Sequence, residues 1–159
     1  MKIFYSEEHR KHYPPFEVFD GGKRVKGRKR HIAVDTQGWL VRVLVHPANW
    51  SDKDSARLLL KRVPYFGRWR VALFDGGYDT DALVHWCRRL FDVTALIVRR
   101  TDTDTKGFKV LPQRWIVERT FAWLGKYRRL SKDYEQLPVV SQSWIYAAMI
   151  HRMLHHLKP

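Results

Sequence analysis

The chain has 159 residues and a formal net charge of +14, with 30 lysines and arginines against 16 acidic residues. Its length favours one domain, and a hydrophobic content of 45% argues against overall disorder. The charge favours a polyanionic partner, most simply nucleic acid. A small anionic substrate stays open as an alternative, and an anionic membrane surface ranks last because no basic helix has a clean apolar face.

The same composition bears on the compartment. The single cysteine, Cys87, excludes an internal disulfide and fits a reducing cytosol. The longest apolar runs, such as Ala95-Leu96-Ile97-Val98, are far too short to span a bilayer, and the N-terminus has no signal-peptide core. We therefore expect a cytoplasmic protein without a membrane partner.

The N-terminal part of the chain gives the weakest signal. Residues 1–22 show no sustained hydrophobic period and predict an irregular segment, with a short strand over Phe16–Phe19 that ends at Asp20. The segment 23–30 carries six cations in eight residues, which favours phosphate contact over a merely solvated loop. Two apolar runs on either side of Gln37-Gly38 then predict an antiparallel hairpin, His31–Thr36 and Trp39–Val45.

Beyond the hairpin, helical and extended patterns alternate. A helix is predicted to begin at Ser51 with acidic residues in its first turn and to end near Pro64. The elements that follow are a strand over Arg70–Phe74, a helix over Thr80–Leu90, a strand over Val93–Val98, a charged mobile loop over 99–109, a helix from Pro112 to about Lys126, and a last helix after Pro138. This order predicts an α/β or α+β layered domain.

Two carboxylates stand in apolar surroundings. Asp75 ends the run Val71-Ala72-Leu73-Phe74 before Gly76-Gly77, and Glu118 lies within a largely apolar helical stretch. Carboxylates are rare in such company unless they are paired, hydrogen-bonded or bound to a cation. Because Mg²⁺ takes one or two carboxylates together with water and phosphate, we expect Asp75 and Glu118 to hold metal ions against a phosphate.

Simpler interpretations exist for each of these features. Asp75 would on one interpretation merely cap the Gly-Gly turn, and Glu118 considered alone is more simply a salt-bridge partner of Arg114. The tryptophans Trp115, Trp123 and Trp144 are expected in the core rather than as platforms for nucleic-acid bases. The candidate phosphate contacts are Lys26, Arg28, Lys29, Arg30, Arg114, Arg119, Lys126, Arg128 and Arg129.

Several blocks occur in a fixed order along the chain: Lys26-Gly27-Arg28-Lys29-Arg30-His31, Val34-Asp35-Thr36, His46-Pro47-Ala48-Asn49, Asp75-Gly76-Gly77-Tyr78, Val117-Glu118-Arg119-Thr120-Phe121-Ala122-Trp123-Leu124 and Arg128-Arg129-Leu130-Ser131-Lys132-Asp133-Tyr134-Glu135. In these blocks the chain resembles the insertion-sequence-five family of bacterial DDE transposases over roughly residues 20–157.

The resemblance implies an RNase H-like mixed sheet flanked by helices, two Mg²⁺ or Mn²⁺ ions, and cleavage and joining of DNA at transposon ends. It makes Asp75 the second aspartate of the catalytic triad and Glu118 its glutamate. Arg114 matches the arginine of the signature around that glutamate, while Gly125 stands where a basic residue is expected, so that Lys126 or Arg128 substitutes. Such a protein would be bacterial, cytoplasmic and nucleoid-associated.

The chain departs from the family at the first catalytic aspartate, because it contains no block of the type Asp-Ser-Gln-Ser. We therefore expect the first central strand to be missing or replaced by N-terminal residues. On this view residues 1–22 are an irregular segment and residues 23–159 form a truncated catalytic domain. It would bind DNA and be inactive alone unless Asp20, self-association or an upstream transposase product supplies the third carboxylate. The alternative is a non-catalytic basic nucleic-acid-binding protein.

Overall fold

A computed structural model of the chain describes residues 2–9, 18–20, 25–63, 69–78, 81–98 and 115–157, with side chains from residue 27 onward. Within these ranges lie six strands: β1 (Lys2–His9), β2 (Val18–Asp20), β3 (Val25–Val34), β4 (Leu40–Pro47), β5 (Val71–Asp75) and β6 (Thr94–Val98). The four α-helices there are α1 (Asp52–Lys61), α2 (Asp81–Phe91), α3 (Trp115–Gly125) and α4 (Pro138–His156).

The predicted hairpin, both later strands and all four helices are confirmed, although β3 begins at Val25, well before the predicted start of the hairpin at His31. The short strand predicted to end at Asp20 is present as β2. The charged segment 99–109, for which the sequence predicts a mobile loop, lies outside the described residues.

The six strands form one mixed sheet centred on β1. Its neighbours are β3, which is antiparallel to it, and β5, which is parallel to it; β6 continues the parallel side. Along its other edge β3 pairs first with β2 and then with β4, both antiparallel. Apart from the short β2, the order is β4-β3-β1-β5-β6, with three antiparallel strands followed by two parallel ones, which is the RNase H-like mixed sheet that the resemblance implied.

The strand β1 corrects the expectation that residues 1–22 are irregular. Residues Lys2–His9 pair along their whole length with β3, from Lys2 opposite Val34 to His9 opposite Gly27. Backbone N–H and C=O groups in the middle of a sheet must be hydrogen-bonded, and any chain segment that can extend there can supply the partners. The central strand is therefore supplied by N-terminal residues, which is the second of the two outcomes that the sequence left open.

Helices cover both faces of the sheet. One apolar cluster joins α1 and α2 to the sheet through Leu59, Phe74 and Leu83. The other joins α3 and α4 to the opposite face through Ile32, Val43 and Ile145. Because strand residues alternate between faces, neighbouring residues such as Ile32 and Ala33 serve different clusters.

The alternation of side chains between the two faces of the sheet also explains where the cations of the basic segment lie. Arg28, Lys29 and Arg30 lie within β3 and are at least 94% buried, not part of a surface loop. Arg28 Nη1 forms an ion pair with Asp133 Oδ2 at 3.0 Å, and Lys29 Nζ forms one with Asp52 Oδ1 at 3.0 Å on the other face. Breaking a buried pair of this kind costs about 3–5 kcal/mol. These cations stabilise the interior.

Candidate functional site

Asp75 is the last residue of β5 and is partly exposed. Its Oδ1 accepts a hydrogen bond from the Gly76 amide at 2.8 Å, so the carboxylate does cap the turn as the simpler interpretation proposed. A Cβ at Gly76 would meet only the Val98 carbonyl oxygen at 3.8 Å, which leaves space beside the carboxylate. The carboxyl ends of parallel strands, where Asp75 lies, are the usual ligand position in open α/β sheets.

The helix that carries Glu118 is fixed by its contact with the β3–β4 turn. Thr120 Oγ1 lies 2.8 Å from the Gly38 carbonyl oxygen, and Arg119 donates a hydrogen bond to the Gln37 carbonyl. Gly38 has a φ of +90°, and a Cβ there would stand 2.9 Å from Thr120 Oγ1. Only glycine both adopts this conformation freely and lets α3 approach so closely.

Glu118 is exposed on α3, whereas Ile116 and Val117 are buried against the sheet. With 3.6 residues per turn, Glu118 lies about 100° around the axis of α3 from Arg119, the residue that reaches the turn. The helix also contacts β1, and β1 is the neighbour of β5. Both carboxylates thus belong to elements that adjoin the central strand and are open to solvent. That they share metal ions stays a prediction.

The register of β1 shows which residue stands beside Asp75. Lys2 pairs with Leu73 and Ile3 with Phe74, so the next residue, Phe4, is level with Asp75. The strand has the sequence KIFYSEEH, without aspartate, and Glu7 follows Phe4 by three residues, about 10 Å along the strand. The central strand therefore has no carboxylic residue level with Asp75.

Asp20 does not supply the carboxylate that is missing beside Asp75. It pairs with Val25 in β2, and β3 and β1 lie between that strand and β5. Three strand spacings separate the backbones of Asp20 and Asp75 by about 14 Å even before any offset along the strands. An aspartate side chain cannot span such a distance to a shared ion.

The remaining basic candidates lie on the face of the sheet covered by α3 and α4. Lys126, Arg128 and Arg129 are exposed, and Arg129 Nε binds Glu135 Oε1 at 2.8 Å. Arg119 is half-buried between two tryptophans. The side chain of Lys26 and all of Arg114 lie outside the described part of the chain.

The structure describes the side chains of residues 27–63, 69–78, 81–98 and 115–157. Within these ranges, no group of three or more histidine, cysteine or acidic side chains is arranged as a metal site. Two carboxylates suffice for Mg²⁺ when water and phosphate complete its shell, so the donor chemistry of Asp75 and Glu118 fits the ion. In the described ranges, no helix combines the length and apolarity that a membrane crossing requires.

Comparison with known proteins decides the family. A family model described as "Transposase DDE domain" matches residues 6–153, a range that contains both Asp75 and Glu118. The chain belongs to the DDE transposase family.

A curated relative agrees with this assignment. This relative, the "Putative transposase for insertion sequence element IS402" of Burkholderia cepacia, is 30% identical to the chain over 118 aligned positions. The alignment covers 69% of this chain and 54% of the relative. The chain thus spans about half the length of the curated relative that it matches.

The transposase domain contains a buried polar cluster of His31, His46 and Tyr78. The sequence alone did not predict that these side chains meet. His31 Nδ1 lies 2.6 Å from the Tyr78 hydroxyl, and the His31 ring stacks on His46 with centroids 4.7 Å apart. Tyr78 ends the 3-10 turn Gly76–Tyr78 directly after Asp75, so this bond ties β3 to the turn that follows the candidate ligand. The sequence placed these residues in separate motifs and gave no sign that they meet.

Burial holds both histidines of the cluster neutral. It lowers the pKa of His31 well below the ordinary value, and repulsion from a protonated His46 and from Lys29 would lower it further. Burial also lowers the pKa of His46, together with Lys29, while the Pro47 carbonyl and Asp52 act in the opposite direction.

We predict that these histidines make the folded domain sensitive to mild acid. The unfolded chain binds protons near pH 6.5 whereas the folded chain does not, so stability is full above pH 6.5 and falls as the pH drops below it. Between pH 7.5 and 5.5 the loss should be on the order of 1 kcal/mol at most for each histidine. Urea unfolding at several pH values measures this change in the free energy of unfolding.

The matched variants are His46→Phe, which keeps an aromatic ring between His31 and Trp50, and His85→Asn, which changes an exposed histidine. The first should flatten the pH dependence of the unfolding free energy and the second should leave it unchanged. An equally steep dependence in His46→Phe and the parent would contradict the assignment for His46.

Proposed function

We propose that this domain binds the DNA ends of an insertion element and retains two of the three metal ligands needed to cleave and join them. The observation that carries the proposal is topological. Asp75 ends the strand next to the central strand, and the helix bearing Glu118 contacts that same central strand. A DNA substrate would place the protein at the bacterial nucleoid, in the cytoplasm.

Asp75 and Glu118 are proposed to hold Mg²⁺ or Mn²⁺, with water and DNA phosphate as the other ligands. When bound, such ions stabilise the attacking and leaving oxygens of a phosphodiester. Because no carboxylic residue of β1 is level with Asp75, we propose that the chain alone binds DNA but cleaves it poorly. A third carboxylate from another copy or another transposase product would complete the site.

The metal prediction concerns the two proposed ligands. Asp75→Asn and Glu118→Gln should each weaken Mn²⁺ binding about tenfold or more, because each variant removes one anionic oxygen ligand. Titration followed by electron paramagnetic resonance measures the affinity. Asp92→Asn is the control, since it removes an exposed carboxylate that pairs with Arg88 on the surface. Equal affinities in all three variants and the parent would refute the shared site.

The cleavage prediction uses the register of β1. Phe4→Asp places a carboxylate level with Asp75 and should raise Mn²⁺-dependent nicking of terminal-repeat DNA about tenfold or more. Ser6→Asp is the control, because it adds the same charge two residues, about 7 Å, further along the strand. The gain should disappear in the double variant Phe4→Asp with Asp75→Asn. Strong cleavage by the unmodified chain would show that the first aspartate is dispensable.

The DNA prediction separates the two faces of the sheet. Lys126→Ala with Arg128→Ala should lower duplex affinity and reduce the slope of log affinity against log salt by about two, because two phosphate contacts are lost. Lys53→Ala with Lys61→Ala removes the same charge from exposed positions of α1, on the other face. Fluorescence anisotropy at several salt concentrations measures both pairs. Equal losses in the two pairs would mean that only the net charge matters.

A further inference from the structure

Four aromatic side chains form a row that runs from the surface at Trp50 to the turn that follows Asp75. The Trp50 ring stacks on His46 with centroids 5.2 Å apart, and the His46 ring stacks on His31 at 4.7 Å. The row ends at Tyr78, whose ring meets that of His31 edge-on at 5.9 Å. We call Trp50, His46, His31 and Tyr78 the aromatic row.

Tyr78 is the first residue after Asp75 whose side chain can fix the turn. The two residues between them, Gly76 and Gly77, have no side chain, and Gly77 is exposed. Tyr78, by contrast, is fully buried in the apolar cluster that joins α1 and α2 to the sheet. The position of the turn therefore depends on Tyr78 more than on the two glycines that directly follow Asp75.

His31 fixes the hydroxyl end of Tyr78. His31 Nδ1 lies 2.6 Å from the Tyr78 hydroxyl, and both side chains are fully buried. The backbone of His31 is held in β3 between two other strands, opposite Tyr5 of β1 and Leu44 of β4, and its ring is held by the stack on His46. A buried hydroxyl keeps its hydrogen-bond partner because no water is there to replace it. The bond thus ties the turn to a rigid part of the sheet.

The direction of the Asp75 carboxylate depends on the backbone of this turn. Asp75 Oδ1 accepts a hydrogen bond from the Gly76 amide at 2.8 Å, so a rotation of that peptide group would carry the carboxylate with it. Phe74, on the other side, is fully buried, and its ring lies 5.9 Å from the Tyr78 ring. Asp75 is therefore held between two buried aromatic residues while it is itself partly exposed.

We propose that Tyr78, held by its hydrogen bond to His31, is a positioning residue for Asp75. The pair fixes the turn so that the carboxylate already points toward the proposed metal ions before they bind. Tyr78 itself touches neither metal nor DNA in this role. The inference rests on the proposed function, because it requires Asp75 to bind metal.

The test removes the hydroxyl of Tyr78 and keeps its ring. Tyr78→Phe should weaken Mn²⁺ binding roughly three- to tenfold, near the lower end of what the loss of an orienting residue costs a metal site. Electron paramagnetic resonance measures the affinity at neutral pH, at a temperature at which circular dichroism shows that parent and variant are both folded. A purely structural role would lower the free energy of unfolding and leave the Mn²⁺ affinity of the folded protein unchanged.

Tyr146→Phe is the matched control. It removes another tyrosine hydroxyl, which accepts a hydrogen bond from the Val43 amide at 3.3 Å on the opposite face of the sheet. It should leave the Mn²⁺ affinity unchanged. Equal losses of affinity in Tyr146→Phe and Tyr78→Phe would mean that the whole domain had loosened, and would overturn the inference.

Variants of His31 test the other end of the bond. His31→Leu should weaken Mn²⁺ binding by a factor similar to that of Tyr78→Phe, and the double variant should lose no more than either single one, because both changes break the same bond. His31→Gln keeps a side chain that can hydrogen-bond to the hydroxyl and should recover part of the loss. Losses that multiply in the double variant would overturn the inference.

A titration of the parent chain tests the same coupling without any variant. If the bond between His31 and Tyr78 favours metal binding, metal binding must strengthen the bond to the same extent. Mg²⁺ should therefore shift the NMR resonances of the His31 ring nitrogens, whereas those of His85, which is exposed on α2, should stay in place. An unshifted His31 would overturn the inference even if the variants failed to fold.

The outcomes keep this inference apart from the proposed function. A parent chain that binds Mn²⁺ no more tightly than Asp75→Asn defeats the proposed function and this inference with it. A parent chain that needs Asp75 for Mn²⁺ binding, with full affinity retained in Tyr78→Phe, defeats only the positioning role.

Discussion

The pairing of β1 at the centre of the sheet is the constraint on which the other elements depend. β3 and β5 would have no common neighbour without it, and their backbone groups would be buried without partners. This requirement for hydrogen-bond partners concerns the backbone alone, not the side chains of the strand. A segment with the sequence KIFYSEEH can therefore complete the sheet while carrying no carboxylate level with Asp75. The fold of a transposase and its full ligand set are thus separable.

Positive charge serves two different purposes in this chain. Arg28, Lys29 and Arg30 are buried and paired because a strand in the middle of a layered domain has no face left for solvent. Arg28 ties β3 to the loop before α4 through Asp133, which itself accepts a hydrogen bond from Ser141 at 2.7 Å. Among the described candidates, the exposed cations proposed to contact DNA lie at the end of α3 and in the turn that follows it. A net charge by itself does not tell these groups apart.

The α3 helix carries both residues that stabilise the fold and residues of the proposed functional site. Gly38 and Thr120 fix it to the hairpin, Glu118 is exposed on it, and the Arg119 guanidinium lies between the rings of Trp115 and Trp123. A single rigid helix would then set the spacing between the proposed metal ligand Glu118 and the proposed phosphate contact Lys126. Short fixed distances of this kind are what positioning of a DNA strand requires.

Sequence alone determined the helices and the later strands, because these follow from local period, and it singled out the two candidate carboxylates by their apolar neighbours. The mixed sheet was implied only by the resemblance that the short motifs carry. Sequence alone mistook β1 for irregular chain, since the strand is fixed by pairing with β3 and β5 rather than by its own pattern. It also predicted phosphate contact for the cations of β3, which are buried, and a core position for Trp115, which is 47% exposed. Which side of an element is covered depends on what packs there, and only the tertiary structure brought Asp133 to Arg28, Tyr78 to His31 and arginines to Trp123.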